Sequence, residues 1–144
     1  MVSLLIFDAA LVGSVAVHEL GHAVMATILR VPVSRFRLGF GPRLVKIGVL
    51  DLRLVPITGE VQAAPAHWWQ GVLIALAGVG AQWGVIAGAM VSGLARQDVG
   101  FWAWMLGLAM VGTLQLVPVF NTDGAVAISW WRDKNREVDH DDNQ

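Results

Sequence analysis

His18-Glu19-Leu20-Gly21-His22 lies within an apolar stretch that runs from residue 4 to residue 29. On a helix, the four-residue spacing of the histidines stacks both imidazoles on one face, where they can hold a single zinc ion. Glu19 would then stand beside a metal-activated water, in the place of a general base for hydrolysis. The pattern predicts a metal centre in which His18 and His22 are ligands and Glu19 is catalytic.

The apolar surroundings of this motif favour a functional role. A helix over residues 4–29 measures about 39 Å, against about 30 Å for the hydrocarbon core of a bilayer. A carboxylate at the centre of such a span costs about 2.5–3.5 kcal/mol on insertion scales, so it is expected only where it has a partner. A metal ion and a water-filled cavity supply that partner. The alternative is a polar cluster that joins helices through hydrogen bonds without a metal.

The composition points to a membrane as well. The chain of 144 residues is 56% hydrophobic and 15% charged, which is more apolar than a typical soluble domain. Residues 72–95 and 101–120 contain no charged side chain, and as helices they measure about 36 and 30 Å. We therefore expect a mainly α integral membrane protein with three core transmembrane helices, over about 4–29, 72–95 and 101–120. A soluble His-Glu-x-x-His metalloprotease is the alternative, which the two uncharged stretches disfavour.

The connection after the first helix, residues 31–70, has a different character. Glycines and prolines interrupt short apolar runs at residues 44–47 and 50–55. Leucines occupy every second position from 50 to 54, which is the period of a strand with one apolar face. These features predict a small β-sheet at the membrane surface.

Loop charges predict the orientation of the chain. The basic residues lie mainly in the first connection and after the third span: Arg30, Arg35, Arg37, Arg43, Lys46, Arg53, Arg132, Lys134 and Arg136. The positive-inside rule then places the N-terminus outside and the C-terminus in the cytoplasm. We expect a multi-pass protein of a prokaryotic-type cell membrane, with residues 1–131 as one membrane-embedded core and residues 132–144 as a polar tail.

The charge and the glycines bear on partners. A net charge of -1 offers no basic surface for nucleic acid, so the lipid bilayer is the expected environment and no nucleic acid is expected. Gly80, Gly84 and Gly88 recur on one face of the second span and predict close packing against the other spans. A homodimer face is the alternative, and the oligomeric state does not follow.

A catalytic zinc site usually has three protein ligands, and the chain has no cysteine to supply the third. Asp123 is the best candidate, because it should lie at the same depth in the membrane as the motif. Along a helix, the centre of the motif is about 15 Å from Arg30, and Asp123 is about 13 Å from Arg132. His67 and His140 remain alternatives on chemistry alone. Asp8 lies too far along the first helix to join the motif.

The sequence resembles the site-2 protease family of intramembrane zinc metalloproteases from residue 17 to about residue 125. The similar segments are the zinc helix at 18–23, the Gly-Phe-Gly-Pro stretch at 39–42 with residues 54–61, and the Asp-Gly segment at 117–124. The resemblance implies a Zn²⁺-dependent endopeptidase that cuts transmembrane protein or peptide substrates, with Asp123 completing the zinc site.

Four positions depart from the family pattern. Gln82 and Gln115 stand where the family often has asparagine, and Asn121 replaces a frequent proline. By resemblance we expect Gln82, Gln115 and Asn121 to bind substrate. Because Val79 also departs from the pattern, the alternative is a catalytically altered metal-binding membrane protein that acts as an interaction module. Glu19 argues against that alternative, since a purely structural zinc site needs no base.

Overall fold

The computed structural model describes residues 2–92, 99–118 and 122–141. The elements follow in the order α1 (Val2–Ile28), β1 (Val33–Ile47), β2 (Leu50–Ala63), α2 (Trp68–Val91), α3 (Val99–Leu116) and α4 (Asp123–Asp141). The expected mainly α fold with a small sheet after the first helix is confirmed.

Helix α1 carries the motif and ends with a change of backbone handedness. The Val31 N–H donates to the Ala26 carbonyl at 2.8 Å, and Arg30 has a φ of 56° in the left-handed region. This is the Schellman arrangement, with arginine at the position that glycine usually takes. The turn directs the chain from the end of α1 into β1.

Helices α2 and α3 pack against α1. Gly21 of the motif lets α2 approach closely, because a Cβ at this position would lie 2.5 Å from the Ala77 carbonyl oxygen. Two apolar clusters hold these elements together, the first around the end of α1 and the second between α2 and α3. Their buried members are Ala26, Val31 and Ile74 in the first, and Ile86, Met105 and Leu108 in the second.

Within the described ranges, two helices are long and apolar enough to cross a bilayer, over residues 11–28 and 68–91. The third predicted span, residues 101–120, corresponds to α3, which is apolar but shorter. Its helix ends at Leu116, two residues before Pro118, which lacks the N–H that a continuing helix needs. A third transmembrane span at 101–120 therefore stays a prediction.

The predicted packing of the glycine face of α2 is wrong for the described part of the chain. No atom lies within 4 Å of a Cβ built at Gly80, Gly84 or Gly88. The close contacts of α2 instead involve Gly71, which faces the Trp130 ring, and Gly78, which faces the motif histidines. Periodicity alone does not reveal which face of an apolar helix is covered.

The sheet is longer than the two short runs predicted for it. Strands β1 and β2 pair antiparallel over residues 33–63, with several register shifts. Residues 36–38 have partners in two parts of β2, at 50–52 and at 59–61. The strands are therefore strongly bent, and the segment around Gly59 passes over α1.

Helix α4 begins at Asp123 and continues to Asp141, beyond residue 131 where the sequence predicts the polar tail to begin. The backbone at 132–141 is thus helical. The division of the chain at residue 131 stays a prediction.

Candidate metal centre

The structure brings His18, His22 and Asp123 together. The Asp123 Oδ2 atom lies 2.8 Å from His18 Nε2 and 3.3 Å from His22 Nε2, and the two Nε2 atoms are 3.1 Å apart. Both imidazoles are buried, and Asp123 is nearly so. Within the described ranges this is the single group of His and acidic residues that can hold a metal ion.

The Nδ1 atom of each imidazole already has a hydrogen-bond partner. His22 Nδ1 lies 2.6 Å from the Ile74 carbonyl oxygen, and His18 Nδ1 lies 3.1 Å from the Gln82 side-chain oxygen. A carbonyl oxygen only accepts, so we assign the proton of each ring to Nδ1. Both Nε2 lone pairs then point towards Asp123, which is the orientation that metal-binding histidines require.

The donor set fits zinc. Tetrahedral zinc with bonds of about 2.0–2.2 Å keeps its ligand atoms about 3.3–3.6 Å apart. The three observed separations, 2.8, 3.1 and 3.3 Å, are close to this spacing. Asp123 Oδ2 is buried without a hydrogen-bond donor, and two imidazole lone pairs beside a carboxylate oxygen repel one another unless a cation lies between them.

Local sequence explains how Asp123 reaches the centre. The Thr122 carbonyl accepts a 3.0 Å hydrogen bond from the Val126 N–H, which marks Thr122 as the N-cap residue of α4. Asp123 is in the first helical turn, where the helix dipole favours a negative charge. Gly124 is required beside it, because a Cβ there would overlap the Leu116 carbonyl oxygen.

Glu19 is 5% exposed and lies under strand β2. A Cβ at Gly59 would overlap the Glu19 side chain, so only glycine leaves room for the carboxylate at this point of the strand. The sheet is therefore in direct contact with the proposed base. The close approach holds the carboxylate between α1 and β2.

Two cavities, each of about 270 Å³, meet at this point. Glu19, Gly59 and Gln115 line both cavities. The first extends past His22 and Asp123 towards Trp130, and the second past His18 towards Leu11. Together they give access to the metal-binding residues from two sides of Glu19.

The three residues expected to bind substrate have different surroundings. Gln115 lines both cavities and can reach a bound peptide. Gln82 is fully buried, and its amide contacts His18 and the Ser14 carbonyl. Asn121 lies outside the described residues. A role in substrate binding stays a prediction for all three.

The alternative ligands are elsewhere. His67 is exposed at the start of α2, where its ring stacks on Trp69. Asp8 is exposed on α1, ten residues before His18. The side chain of His140 lies outside the described part of the structure.

Sequence reasoning missed the residues that make room for the site. A Cβ at Gly78 would lie 2.5 Å from His22 Nε2 and 2.7 Å from His18 Cε1. Gly59 does the same for Glu19, and Gly112 of α3 for the Gln82 side-chain oxygen, at 2.7 Å. Nothing local in the sequence distinguishes Gly78 from Gly80, because the difference depends on which face of α2 meets α1.

A buried pair of histidines and an aspartate, with a glutamate beside them, define a centre of the metallopeptidase type. Residues 6–101 match the profile of peptidase family M50, a range that includes the histidine motif, the sheet and α2. The chain belongs to this family, the site-2 protease family. The family is zinc-dependent and membrane-associated, which confirms zinc as the expected cofactor.

Two relatives agree with this assignment. A Thermotoga maritima protein, provisionally named as a zinc metalloprotease, is 33% identical over 96 residues, which cover 50% of this chain and 19% of the relative. A Synechocystis protein with the same kind of name is 43% identical over 51 residues, which cover 33% of this chain and 14% of the relative. The chain therefore matches less than a fifth of the length of either protein.

Proposed function

We propose that this protein is an intramembrane zinc endopeptidase that hydrolyses peptide bonds of transmembrane substrates. The observation that carries the proposal is that His18 Nε2, His22 Nε2 and Asp123 Oδ2 lie within 3.3 Å of one another. The two histidines and the buried Glu19 share the apolar helix α1, and Asp123 comes from α4. Family membership supports peptidase chemistry.

His18, His22 and Asp123 would hold the metal. Bound zinc would supply Lewis acidity, which polarises a scissile carbonyl and lowers the pKa of water. Glu19, in both cavities, is placed to accept a proton from the attacking water and to deliver it to the leaving amine. Gly59 packs against Glu19 and leaves the carboxylate little room beside the strand.

The surface of the helices supports a membrane environment. Large apolar side chains are exposed on all three apolar helices, among them Leu20 and Val24 of α1, Leu73 and Trp83 of α2, and Leu106 and Leu114 of α3. In water this surface would favour aggregation, whereas lipid tails solvate it without cost. We place the N-terminus outside and the sheet and C-terminus in the cytoplasm, following the loop charges.

The bent sheet is suited to present a substrate. A transmembrane helix hides its carbonyl groups in its own hydrogen bonds, so it must unwind before cleavage. Residues 57–59 of β2 line one cavity and residues 59–61 line the other, so the strand runs alongside both. An unwound peptide lying along this segment would pass Glu19 in an extended conformation.

The test is a comparison of zinc content and cleavage in detergent-purified wild type, Glu19→Gln and Asp123→Ala, with a generic transmembrane peptide as substrate. Wild type should hold about one zinc and cut the peptide. Glu19→Gln should keep zinc and lose cleavage by a factor of at least about 100, the usual contribution of a general base. Asp123→Ala should lose most of its zinc.

Two outcomes would contradict the proposal. Absence of zinc from wild type after reconstitution would remove the metal centre. Bound zinc without cleavage of a panel of transmembrane peptides would favour the interaction-module alternative. The matched control is Glu60→Gln, which alters a half-buried carboxylate at the cavity edge that pairs with Arg37, and it should leave zinc content unchanged.

A further inference from the structure

Gln82 is a fully buried amide in the middle of an apolar helix. Its side-chain oxygen lies 3.1 Å from His18 Nδ1, and its side-chain nitrogen lies 3.2 Å from the Ser14 carbonyl oxygen. Ser14 and His18 are one turn apart on α1, so the amide of α2 spans a single turn of the neighbouring helix. Both polar atoms of the side chain are thereby satisfied.

The two contacts fix which way the amide points. The Ser14 carbonyl can only accept a hydrogen bond, so the amide nitrogen must be the atom that faces it. The amide oxygen is then left facing His18, where it can only accept. The proton of the His18 ring must consequently lie on Nδ1, and the lone pair lies on Nε2, 2.8 Å from Asp123 Oδ2.

We propose that Gln82 is a positioning residue for the zinc site, which holds the His18 ring in the orientation and tautomer that zinc requires. The inference rests on the proposed function, since it concerns the same metal centre. It assigns to Gln82 a role that does not involve substrate. The Gln82 side chain reaches from α2 to both the ring and the Ser14 carbonyl.

The third helix reserves space for this amide. Gly112 of α3 faces the Gln82 side-chain oxygen, and a Cβ at position 112 would lie 2.7 Å from it. Three helices therefore meet at one amide: α1 with its two partners, α2 with the glutamine and α3 with the glycine. A buried amide between apolar helices is unfavourable unless it is fully hydrogen-bonded, which explains why each of its partners is so closely placed.

The two histidines are oriented by different means. The Nδ1 of His22 faces the Ile74 backbone carbonyl, which no substitution removes. His18 depends on a side chain, so its orientation can be changed by mutation. Outer hydrogen-bond partners of metal-binding histidines typically contribute 10–100-fold to metal affinity.

The experiment measures zinc affinity of the full chain in detergent by competition with a chelator. Gln82→Met keeps the length of the side chain and removes both hydrogen bonds, and we expect zinc to bind about 10–100-fold more weakly. Gln82→Glu keeps the acceptor for His18, and we expect it to bind zinc about 10–100-fold more tightly than Gln82→Met. Gln70→Met is the matched control, because Gln70 lies on the same helix but contacts only the backbone at residues 66 and 67.

A second measurement reads the tautomer of the His18 ring directly, and its wild-type arm needs no variant. In wild type without metal, ¹⁵N chemical shifts of the His18 ring distinguish a proton on Nδ1 from one on Nε2. We expect the Nδ1–H form at neutral pH, with the Nε2–H form appearing in Gln82→Met. This readout reports on the ring itself and keeps the inference testable if Gln82→Met folds poorly.

The inference is overturned if wild type binds zinc while its His18 ring carries the proton on Nε2. It is also overturned if Gln82→Met binds zinc as tightly as Gln70→Met, or if Gln82→Glu loses as much affinity as Gln82→Met. Failure of the proposed function is a separate result, since it appears as wild type without zinc or without cleavage.

Discussion

At the scale of single residues, the site depends on glycines, which leave space, as much as on the side chains that fill it. Gly59, Gly78 and Gly112 each face a functional side chain at a distance where a methyl group does not fit. Gly80, Gly84 and Gly88, which lie on α2 with Gly78, face open space among the described residues. Within α2, therefore, Gly78 makes room for the motif histidines, whereas Gly80 does not serve a packing role in the described part of the chain.

Gly78→Ala is the sharpest test of this difference. The added Cβ would lie 2.5 Å from His22 Nε2 and 2.7 Å from His18 Cε1, so one or both rings must move. We expect zinc affinity to fall at least about tenfold, measured by chelator competition. The control Gly80→Ala should keep its affinity and raise helix stability by about 0.5–1 kcal/mol. Equal zinc affinity in the two variants would show that the rings are not confined by α2.

The sequence predicted the chemical residues of the site and not their supports. The spacing of His18 and His22 and the depth of Asp123 depend on helix geometry alone, which a sequence reveals. The role of Gln82 depends on which face of α2 meets α1, and an apolar helix with glycines on several faces gives no periodic signal for that. Resemblance to the family suggested substrate binding for Gln82, whereas its contacts are with α1.

At the scale of elements, the hairpin formed by β1 and β2 is part of the site and not only a connection between helices. Strand β2 contacts Glu19 at Gly59, and the same strand lines both cavities. The alternating leucines predicted a strand at residues 50–55, but the bend that returns the chain over α1 involves register shifts that alternation does not encode.

Gly59→Ala should therefore separate metal binding from catalysis. A Cβ at this position would overlap the Glu19 side chain, and the carboxylate must rotate away from the cavity or push the strand outward. We expect zinc content to stay near that of wild type and cleavage of a transmembrane peptide to fall at least about tenfold, as for a displaced general base. Full activity in this variant would mean that the strand does not constrain Glu19.

The hairpin is also stabilised by a buried carboxylate. Asp51 is 2% exposed and lies 3.1 Å from Arg43, 3.2 Å from Arg53 and 3.8 Å from Arg37, which also pairs with Glu60. Burial raises the pKa of Asp51, but the hydrogen bonds from Arg43 and Arg53 outweigh burial and hold the pKa below its ordinary value. The carboxylate is therefore charged in the folded sheet at neutral pH.

A lowered pKa makes the stability of the sheet depend on pH in one direction. The contribution of Asp51 is fully present above its unfolded pKa of about 3.9 and is lost as the pH falls through the lower folded value. Thermal unfolding followed by circular dichroism between pH 6 and pH 3 should show a falling midpoint. In Asp51→Asn the midpoint should be lower at pH 6 and should fall less on acidification. An identical pH dependence in both proteins would contradict the assignment.

At the scale of the whole molecule, the proposed arrangement across the membrane rests on loop charge and on the parity of the spans, not on the fold. Two helices are long enough to span, and α3 is shorter. The proposed orientation, with the N-terminus outside, requires α3 to cross as well, because the basic residues on either side of α2 and α3 must share the cytoplasmic face.

The absence of cysteine from the chain allows a direct test of that orientation. Single-cysteine variants at exposed positions, Asp8→Cys, Lys46→Cys and Arg132→Cys, carry one thiol each. A membrane-impermeant maleimide should label Asp8→Cys in intact cells and label the other two only after permeabilisation. The reverse pattern would invert the proposed orientation, and labelling of Arg132→Cys alongside Asp8→Cys would mean that α3 does not cross.

The proposed metal ligands come from distant parts of the chain: His18 and His22 belong to α1, whereas Asp123 opens α4, about a hundred residues later. A ribosome delivers α1, the sheet, α2 and α3 before the third ligand exists. The half-made protein thus carries two histidines and a base without a complete metal site. In the proposed enzyme, hydrolytic competence therefore arises only once α4 has been synthesised, and the order of synthesis keeps a chain that stops before Asp123 inactive.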